Sequence, residues 1–220
     1  MKIHIIQHVP FEKPGLILEW INERRHTYEV VKIFDQESFP SSDEVEYLVV
    51  LGGPMSANDS DEWIATERQL IKEVVEQQKP MFGICLGAQQ LAKVFGGSIV
   101  PAPQEVGWEN VQSVSTGKNM SVLHWHGEGF TLPEKSILLY SSSRWENQGF
   151  RIHNAIGLQF HFETTETTLS EIVGADAEFL GQSVFKTSVE ETLDYSIPSE
   201  NKEVLFSMLD TLEEAYKTEK

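Results

Sequence analysis

The sequence predicts an α/β fold with a mostly parallel central sheet, helices on both faces and a small antiparallel or mixed addition. In the first part of the chain, short apolar runs rich in β-branched residues alternate with segments of helical spacing. The runs are continuously apolar, as in parallel strands that are buried on both faces. From Gly97 onward, turns rather than long helices separate the strand-like runs, which predicts the antiparallel part.

The alternating part begins with a strand, a helix and a second strand. Leu16, Ile17, Trp20 and Ile21 recur at helical spacing between the two strand-like runs. A third run, YLVVL, ends at a Gly-Gly-Pro sequence, and the amphipathic segment after it is broken by a Lys-Pro pair before a fourth run. The predicted strands are 2–8, 28–34, 47–51 and 81–84, and the predicted helices are 15–25 and 61–78.

The later part of the chain is predicted to form shorter strands and a final helix. Strand-like runs occupy 107–114, 120–125, 136–140 and 155–160, and an amphipathic pattern over 202–217 predicts a helix that packs on the core or at a subunit contact. No internal repeat, low-complexity tract or linker divides the sequence. We therefore expect residues 1–220 to form a single domain.

Charge and cysteine content narrow the classes of partner and compartment. The 220 residues carry 17 basic and 34 acidic side chains, a formal charge of −17. Such a charge repels polyanions, so neither nucleic acid nor an anionic membrane is an expected partner. The first residues do not resemble a signal peptide, and no apolar run reaches transmembrane length. The one cysteine excludes an intramolecular disulfide and favours a reducing, cytoplasmic location.

The strongest functional signal surrounds that cysteine. A buried strand leads directly into Gly83-Ile84-Cys85-Leu86-Gly87, which opens a helix ended by Gly96-Gly97. The flanking glycines permit the crowded backbone of a nucleophile elbow. The helix N-terminus favours the thiolate, and the free N–H of Leu86 can donate to an oxyanion. A free cysteine is usually a small buried hydrophobe, but this context favours a nucleophile.

A base for the nucleophile is expected from a His-x-Glu sequence near the end of another apolar run. On an extended chain, His161 and Glu163 project to the same face, so the carboxylate can orient the imidazole. Such a triplet alone is more often a surface pair. Combined with the elbow, and with both features at the carboxyl ends of strands, it predicts a Cys85–His161–Glu163 triad.

Five sequence blocks resemble the class I (triad) glutamine amidotransferases, and the likeness is closest to stand-alone members similar to the amidotransferase domain of GMP synthase. The blocks are Leu51-Gly52-Gly53-Pro54, Gly83-Ile84-Cys85-Leu86-Gly87-Ala88-Gln89, Glu105-Val106-Gly107-Trp108, His124-Trp125-His126-Gly127-Glu128, and Asn147-Gln148-Gly149-Phe150 with Gly157 to Glu163. They span residues 47 to 163, and the cysteine block is the most specific of them.

This resemblance implies a flavodoxin-like three-layer fold and hydrolysis of the glutamine side-chain amide. Cys85 would form a γ-glutamyl thioester with release of ammonia, and water would then hydrolyse the thioester. The amides of Gly53 and Leu86 would form the oxyanion hole, and Gln89 and Gly52 would contribute to substrate binding. No cofactor is implied, and the chain has neither a phosphate-binding G-x-x-x-x-G-K-[ST] loop nor a G-x-G-x-x-G after a strand.

The sequence departs from the family pattern at three positions. Phe162 stands between the histidine and the glutamate where proline is usual, which leaves the His/Glu geometry less constrained. Glu128 replaces a common aspartate and Gly149 a common alanine, and neither change removes a catalytic group. His124 and His126 could be a metal pair, but with no cysteine and no carboxylate beyond Glu128 nearby we expect them to pack in the core or against a loop.

Three functions remain open from the sequence. The first is a glutaminase that supplies ammonia to a separate synthetase partner, since the chain contains no synthetase domain of its own. The second is a γ-glutamyl peptide hydrolase that uses the same triad on γ-glutamyl compounds larger than glutamine. The third is a regulatory subunit without turnover, against which the complete triad argues.

Overall fold

A computed structural model describes residues 1–218 and shows nine strands and seven α-helices in this range. The strands are β1 (Lys2–Gln7), β2 (Thr27–Lys32), β3 (Tyr47–Val50), β4 (Met81–Ile84), β5 (Ile99–Ser113), β6 (Asn119–Phe130), β7 (Ile137–Ser141), β8 (Gly149–Ile152) and β9 (Ala155–Leu158). The helices are α1 (Leu16–Glu23), α2 (Glu62–Glu76), α3 (Leu86–Val94), α4 (Glu166–Ala175), α5 (Ala177–Gly181), α6 (Val189–Leu193) and α7 (Ser199–Thr218).

All nine strands belong to one sheet with the order β2-β1-β3-β4-β9-β8-β7-β5-β6. The four pairings from β2 to β9 are parallel, and their order along the sheet is the one found in flavodoxin-like folds. The four pairings from β9 to β6 are antiparallel. The predicted fold is therefore confirmed, but the antiparallel part is half of the sheet rather than a small addition.

Helices cover both faces of the parallel half and enclose two separate cores. On one face, α1 and α7 bury apolar side chains such as Trp20 and Leu209 against the sheet. On the other face, α2 and α3 do the same with side chains such as Ile71 and Leu91. A third apolar cluster joins α4 and α5 to the strands β5 and β6. Because parallel strands expose no face to water, their continuous apolar runs are explained by this double covering.

Several predicted boundaries differ from the observed ones. β2 ends at Lys32 because residues 33–35 form a 3₁₀ turn that leads into Gln36 with φ 60°. β5 begins at Ile99 instead of 107, and β8 and the helices α4 to α6 have no counterpart among the predicted elements. α4 begins with a capping box in which Thr165 and Thr168 exchange hydrogen bonds; the fourth residue is threonine rather than the usual glutamate or glutamine. No helix within residues 1–218 is long and apolar enough to cross a membrane.

Candidate active site

Cys85 occupies a tight turn between β4 and α3. Its backbone has φ 48° and ψ −106°, a left-handed conformation that is strained for a non-glycine residue, and its N–H donates to Leu158 O at 2.8 Å. The turn is possible because α3 packs closely against the neighbouring strands at two glycines, where any side chain would clash with the backbone. A Cβ on Gly87 would lie 2.2 Å from Val50 O, and one on Gly83 would lie 2.7 Å from Gly87 O. The strand-turn-helix geometry expected at Cys85 is therefore present.

The sulfur of Cys85 is held by polar groups from two other segments. Cys85 Sγ donates to Trp125 O at 3.7 Å, and Gln159 Nε2 donates to Sγ at 3.6 Å. Burial raises the pKa of the Cys85 thiol above its ordinary value, although His161 and the N–H of Leu86 oppose the shift. The Leu86 N–H at the start of α3 favours the thiolate, as expected, but burial opposes this effect more strongly.

His161 and Glu163 meet beside the sulfur, as expected, but not on a strand. β9 ends at Leu158, and His161 pairs with the sheet through one backbone bridge, its N–H donating to Leu123 O at 2.9 Å. His161 Nδ1 lies 2.7 Å from Glu163 Oε1, and Nε2 is buried without a hydrogen-bond partner among the residues that the structure describes. Burial alone lowers the pKa of His161, but Glu163 and the nearby thiol raise it well above its ordinary value.

Phe162 fixes the turn that carries this pair. Its side chain is 1% exposed and packs edge-to-face on Phe160 at 4.7 Å and on Tyr140 at 5.8 Å between ring centroids. A proline would restrain this segment through its fixed φ, whereas here an aromatic anchor in the core holds it. The departure from the family pattern at this position therefore leaves the His161–Glu163 contact intact.

The remaining expected site residues surround Cys85. Gly53, Cys85 and Gln89 line the same cavity, and Leu86 follows the cysteine as the first residue of α3. Gly52 adjoins this cavity from β3, and a Cβ on it would lie 3.4 Å from Cys85 Cβ. Gln89 Nε2 donates to Glu128 O at 3.2 Å. The structure thus brings together all seven residues expected at the site.

The cavity has a volume of about 520 Å³ and contains acidic groups that the sequence does not predict. Glu12, Glu128 and Asp176 line it, and no lysine or arginine of the described part of the chain does. Burial raises the pKa of Glu12 to about 7, with His161 and His8 opposing the shift and Glu163 and Asp176 adding to it. Glu12 lies in the loop after β1, where no local motif marks it. Gln159, two residues before His161, could have been found as a polar residue in an apolar run.

A second buried cluster joins three titratable side chains next to the cavity. Glu105 Oε2 lies 3.3 Å from His126 Nε2 and 3.8 Å from His124 Nδ1, and it accepts a hydrogen bond from Gln148 Nε2 at 2.8 Å. Glu105, His124 and His126 form a donor set that could hold a metal ion. The expectation that no carboxylate beyond Glu128 lies near these histidines is wrong, because Glu105 lies beside both of them. The Glu128 carboxylate accepts a hydrogen bond from Ser56 Oγ. Burial lowers the pKa of His124 far below its ordinary value.

Comparison with known proteins assigns the family. The model of the class-I glutamine amidotransferases matches residues 15–176, well over half of the chain. The chain belongs to this family. The match includes the elbow at Cys85 and the His161–Glu163 pair, so the resemblance that the five sequence blocks carry is confirmed.

Individual relatives of this family member differ in the reactions that their names describe. A glutamine amidotransferase-like protein of Salmonella typhimurium is 27% identical over 96% of this chain and 97% of its own length. Gamma-glutamyl peptidase 5 of Arabidopsis thaliana is 25% identical over 72% of this chain and 70% of its own length. The GMP synthase of Streptococcus mutans is 31% identical over 58% of this chain, which spans only 27% of that longer protein.

Solved structures confirm the fold of this amidotransferase family member. A glutamine amidotransferase from Thermotoga maritima superimposes with a TM-score of 0.85 at 29% identity, covering 98% of this chain and 97% of that one. The two proteins therefore share the α/β architecture with its large mixed sheet and flanking helices over nearly their whole length.

Proposed function

We propose that the protein hydrolyses the side-chain amide of glutamine through a Cys85 thioester. The observation that carries the proposal is the position of the sulfur. It sits on a strained turn, opens into a cavity, and lies beside an imidazole that is paired at 2.7 Å with a carboxylate. A nucleophile, a base and an orienting acid in this order are the components of covalent amide hydrolysis.

The reaction begins when His161 Nε2 takes the thiol proton of Cys85 and the sulfur attacks the side-chain carbonyl carbon. The negative charge then develops on the carbonyl oxygen, for which the backbone N–H groups of Gly53 and Leu86 are the proposed donors. Collapse of this intermediate breaks the C–N bond, and His161 returns its proton to the departing nitrogen, so that ammonia leaves. A γ-glutamyl thioester remains on the sulfur.

Water completes the cycle. His161 removes a proton from a water molecule that attacks the thioester carbonyl, and glutamate leaves as the sulfur regains its proton. Glu163 stabilises the imidazolium in both halves of the reaction without giving up its own charge. The raised pKa of His161 supports this role, because the imidazolium form must persist until the leaving nitrogen is protonated.

A γ-glutamyl peptide hydrolase is the second candidate, and the size of the cavity favours it. A volume of about 520 Å³ lies within the range of pockets that hold ligands larger than one amino acid. The same triad would cleave the γ-glutamyl amide bond and release an amine instead of ammonia. The relative named gamma-glutamyl peptidase gives further support.

The proposal also covers the domain organisation, cellular location and partner protein of the enzyme. We propose that residues 1–220 act as one domain in the cytoplasm, where the single buried cysteine remains reduced. If glutamine is the substrate, a separate synthetase partner would consume the ammonia, as the likeness to GMP synthase suggests. Purification of the native protein with its associated chains, followed by assay for ammonia transfer, tests this point.

The decisive experiment measures glutamate release from glutamine and from a panel of γ-glutamyl dipeptides. Wild-type protein is compared with Cys85→Ser, His161→Asn and Glu163→Ala. We expect the first two to lower kcat by several orders of magnitude and the third to lower it less, because Glu163 orients rather than reacts. His153→Asn is the matched control, since His153 is exposed and Asn tolerates its φ of 50°. Wild-type activity in Cys85→Ser would refute the proposal.

A further inference from the structure

A second buried His–Glu pair lies behind the proposed oxyanion hole. His8 follows β1 and Glu67 lies on α2, and both side chains are 0% exposed. His8 Nε2 lies 2.6 Å from Glu67 Oε2, and His8 Nδ1 lies 2.9 Å from Gly52 O. Trp63 lies 5.3 Å from the imidazole between ring centroids and closes one side of it. The Cys85 mechanism uses neither side chain.

The hydrogen bonds determine the charge of His8. A carbonyl oxygen can only accept, so Nδ1 carries a proton toward Gly52 O. Nε2 faces a carboxylate, whose other oxygen, Oε1, has no hydrogen-bond partner within the described residues. Burial alone lowers the pKa of His8, but Glu67 outweighs it, helped by the bond to Gly52, and the pKa is raised. Both nitrogens therefore face acceptor oxygens, and this geometry together with the raised pKa favours the imidazolium form of His8.

The carbonyl that His8 binds belongs to the same peptide group as the N–H of Gly53. In a planar trans peptide the C=O and N–H point in opposite directions, so fixing Gly52 O at His8 turns the Gly53 N–H away from His8. Gly53 borders the cavity together with Cys85. Two adjacent glycines leave this peptide unusually free to rotate, and a flipped peptide would present a carbonyl oxygen to the cavity. That oxygen would repel an oxyanion.

We propose that His8, held by Glu67, is a positioning residue that keeps the Gly52–Gly53 peptide in the orientation required for oxyanion binding. Its charge also polarises the peptide, which makes the Gly53 N–H a stronger donor. The inference rests on the proposed function, because it assigns a role within the same site. It assigns a role to His8, which does not contact the substrate, in addition to the role of His161 at the reacting atoms.

Two labelling reactions at Cys85 separate this role from a general packing role. A glutamine-like chloroketone passes through a tetrahedral oxyanion before it alkylates the sulfur, whereas iodoacetamide displaces iodide without forming one. In His8→Leu we expect chloroketone labelling to slow by about 100-fold, the usual effect of losing one oxyanion donor, while iodoacetamide labelling changes less than about twofold. kcat for the preferred substrate should fall similarly with KM nearly unchanged.

Glu67→Gln provides a milder variant that preserves shape, in case His8→Leu does not fold. It removes the charge on the pair while His8 can still donate to Gly52 O, so we expect about a tenfold loss in chloroketone labelling. His26→Leu is the matched control, because His26 and Glu213 form another His–Glu pair, at 3.3 Å between Nε2 and Oε2, and do not line the cavity. That variant should leave the ratio of the two labelling rates unchanged.

The outcomes distinguish the two proposals. Equal slowing of both reagents in folded His8→Leu and Glu67→Gln, or no slowing of either, would overturn the positioning role while leaving the Cys85 chemistry in place. If the chloroketone fails to label Cys85 in the wild-type protein, the proposed function fails, and the inference that rests on it fails too.

Discussion

Replacing Glu12 with glutamine should stabilise the protein at alkaline pH and hardly at all at acidic pH. Burial raises the pKa of this carboxyl from 4.5 to about 7, so the native state disfavours its ionised form. Because the native pKa is the higher one, the native state binds more protons than the unfolded state between these values. The contribution of Glu12 to the free energy of unfolding is therefore greatest at low pH and falls as the pH rises through 7.

The size of the stability change follows from the difference between the unfolded and native pKa values of Glu12. The difference between 4.5 and about 7 corresponds to about 3 kcal/mol once the carboxyl is fully ionised. Glu12 keeps some contact with solvent at the cavity wall, so screening reduces the expected penalty to about 1–2 kcal/mol at pH 8. At pH 5 the native carboxyl is still protonated, and Glu12→Gln should gain less than about 0.5 kcal/mol.

Urea unfolding followed by tryptophan fluorescence at the two pH values measures this difference. Glu178→Gln is the matched control, because it removes one negative charge from an exposed position that has no bonded partner within residues 1–218. The Glu178→Gln substitution should change the free energy of unfolding by the same amount at pH 5 and at pH 8. If Glu12→Gln gains the same free energy at both pH values, or is less stable than wild type at pH 8, the carboxyl does not have the raised pKa and the reasoning is refuted.

Three other predictions concern the elbow, the aromatic anchor and the thiol. Gly87→Ala should destabilise the protein by about 3 kcal/mol or more in urea unfolding, because its Cβ would meet Val50 O at 2.2 Å, whereas Gly174→Ala on α4 has nothing within 4 Å and should be neutral or slightly stabilising. Phe162→Ala should cost about 3–5 kcal/mol of stability and lower kcat more than KM rises, as the loop carrying His161 and Glu163 loosens; unchanged kcat would contradict the anchoring role. The alkylation rate of Cys85 should keep rising with pH through about 9, since the thiol pKa is raised, and His161→Asn should slow it further at pH 8 by removing a group that lowers that pKa. A rate that levels off below pH 7 in the wild-type protein would show that the resting sulfur is a thiolate.

The sequence predicted the parallel half of the fold and the composition of the site because both depend on local signals. The strands around Tyr47 and Met81 are short apolar runs with clear ends, and the glycines around Cys85 mark the elbow directly. Neighbouring parallel strands end at the same edge of the sheet, so residues that follow them are brought together. This rule holds for Gly52, Cys85 and His161, which follow β3, β4 and β9.

The features that could not be predicted depend on contacts between distant segments. Glu12 has no motif around it, and its raised pKa arises only when the fold buries it, with Glu163 and Asp176 from distant parts of the chain adding to the shift. The Glu67 carboxylate is one of many acids on an amphipathic helix until the fold buries it against His8. The raised pKa of Cys85 likewise results from desolvation in the assembled site, which a helix-dipole argument from sequence does not include.

The placement of β9 next to β4 has a consequence for biosynthesis. The cysteine leaves the ribosome long before the imidazole that would activate it, because the chain first builds β5 to β8 and then returns to pair Ala155–Leu158 with Met81–Ile84. Until that last parallel pairing closes, the nascent protein holds an ordinary thiol without a base. The proposed amide hydrolysis therefore requires the complete sheet, and a chain that ends before β9 has the cysteine without its proposed base.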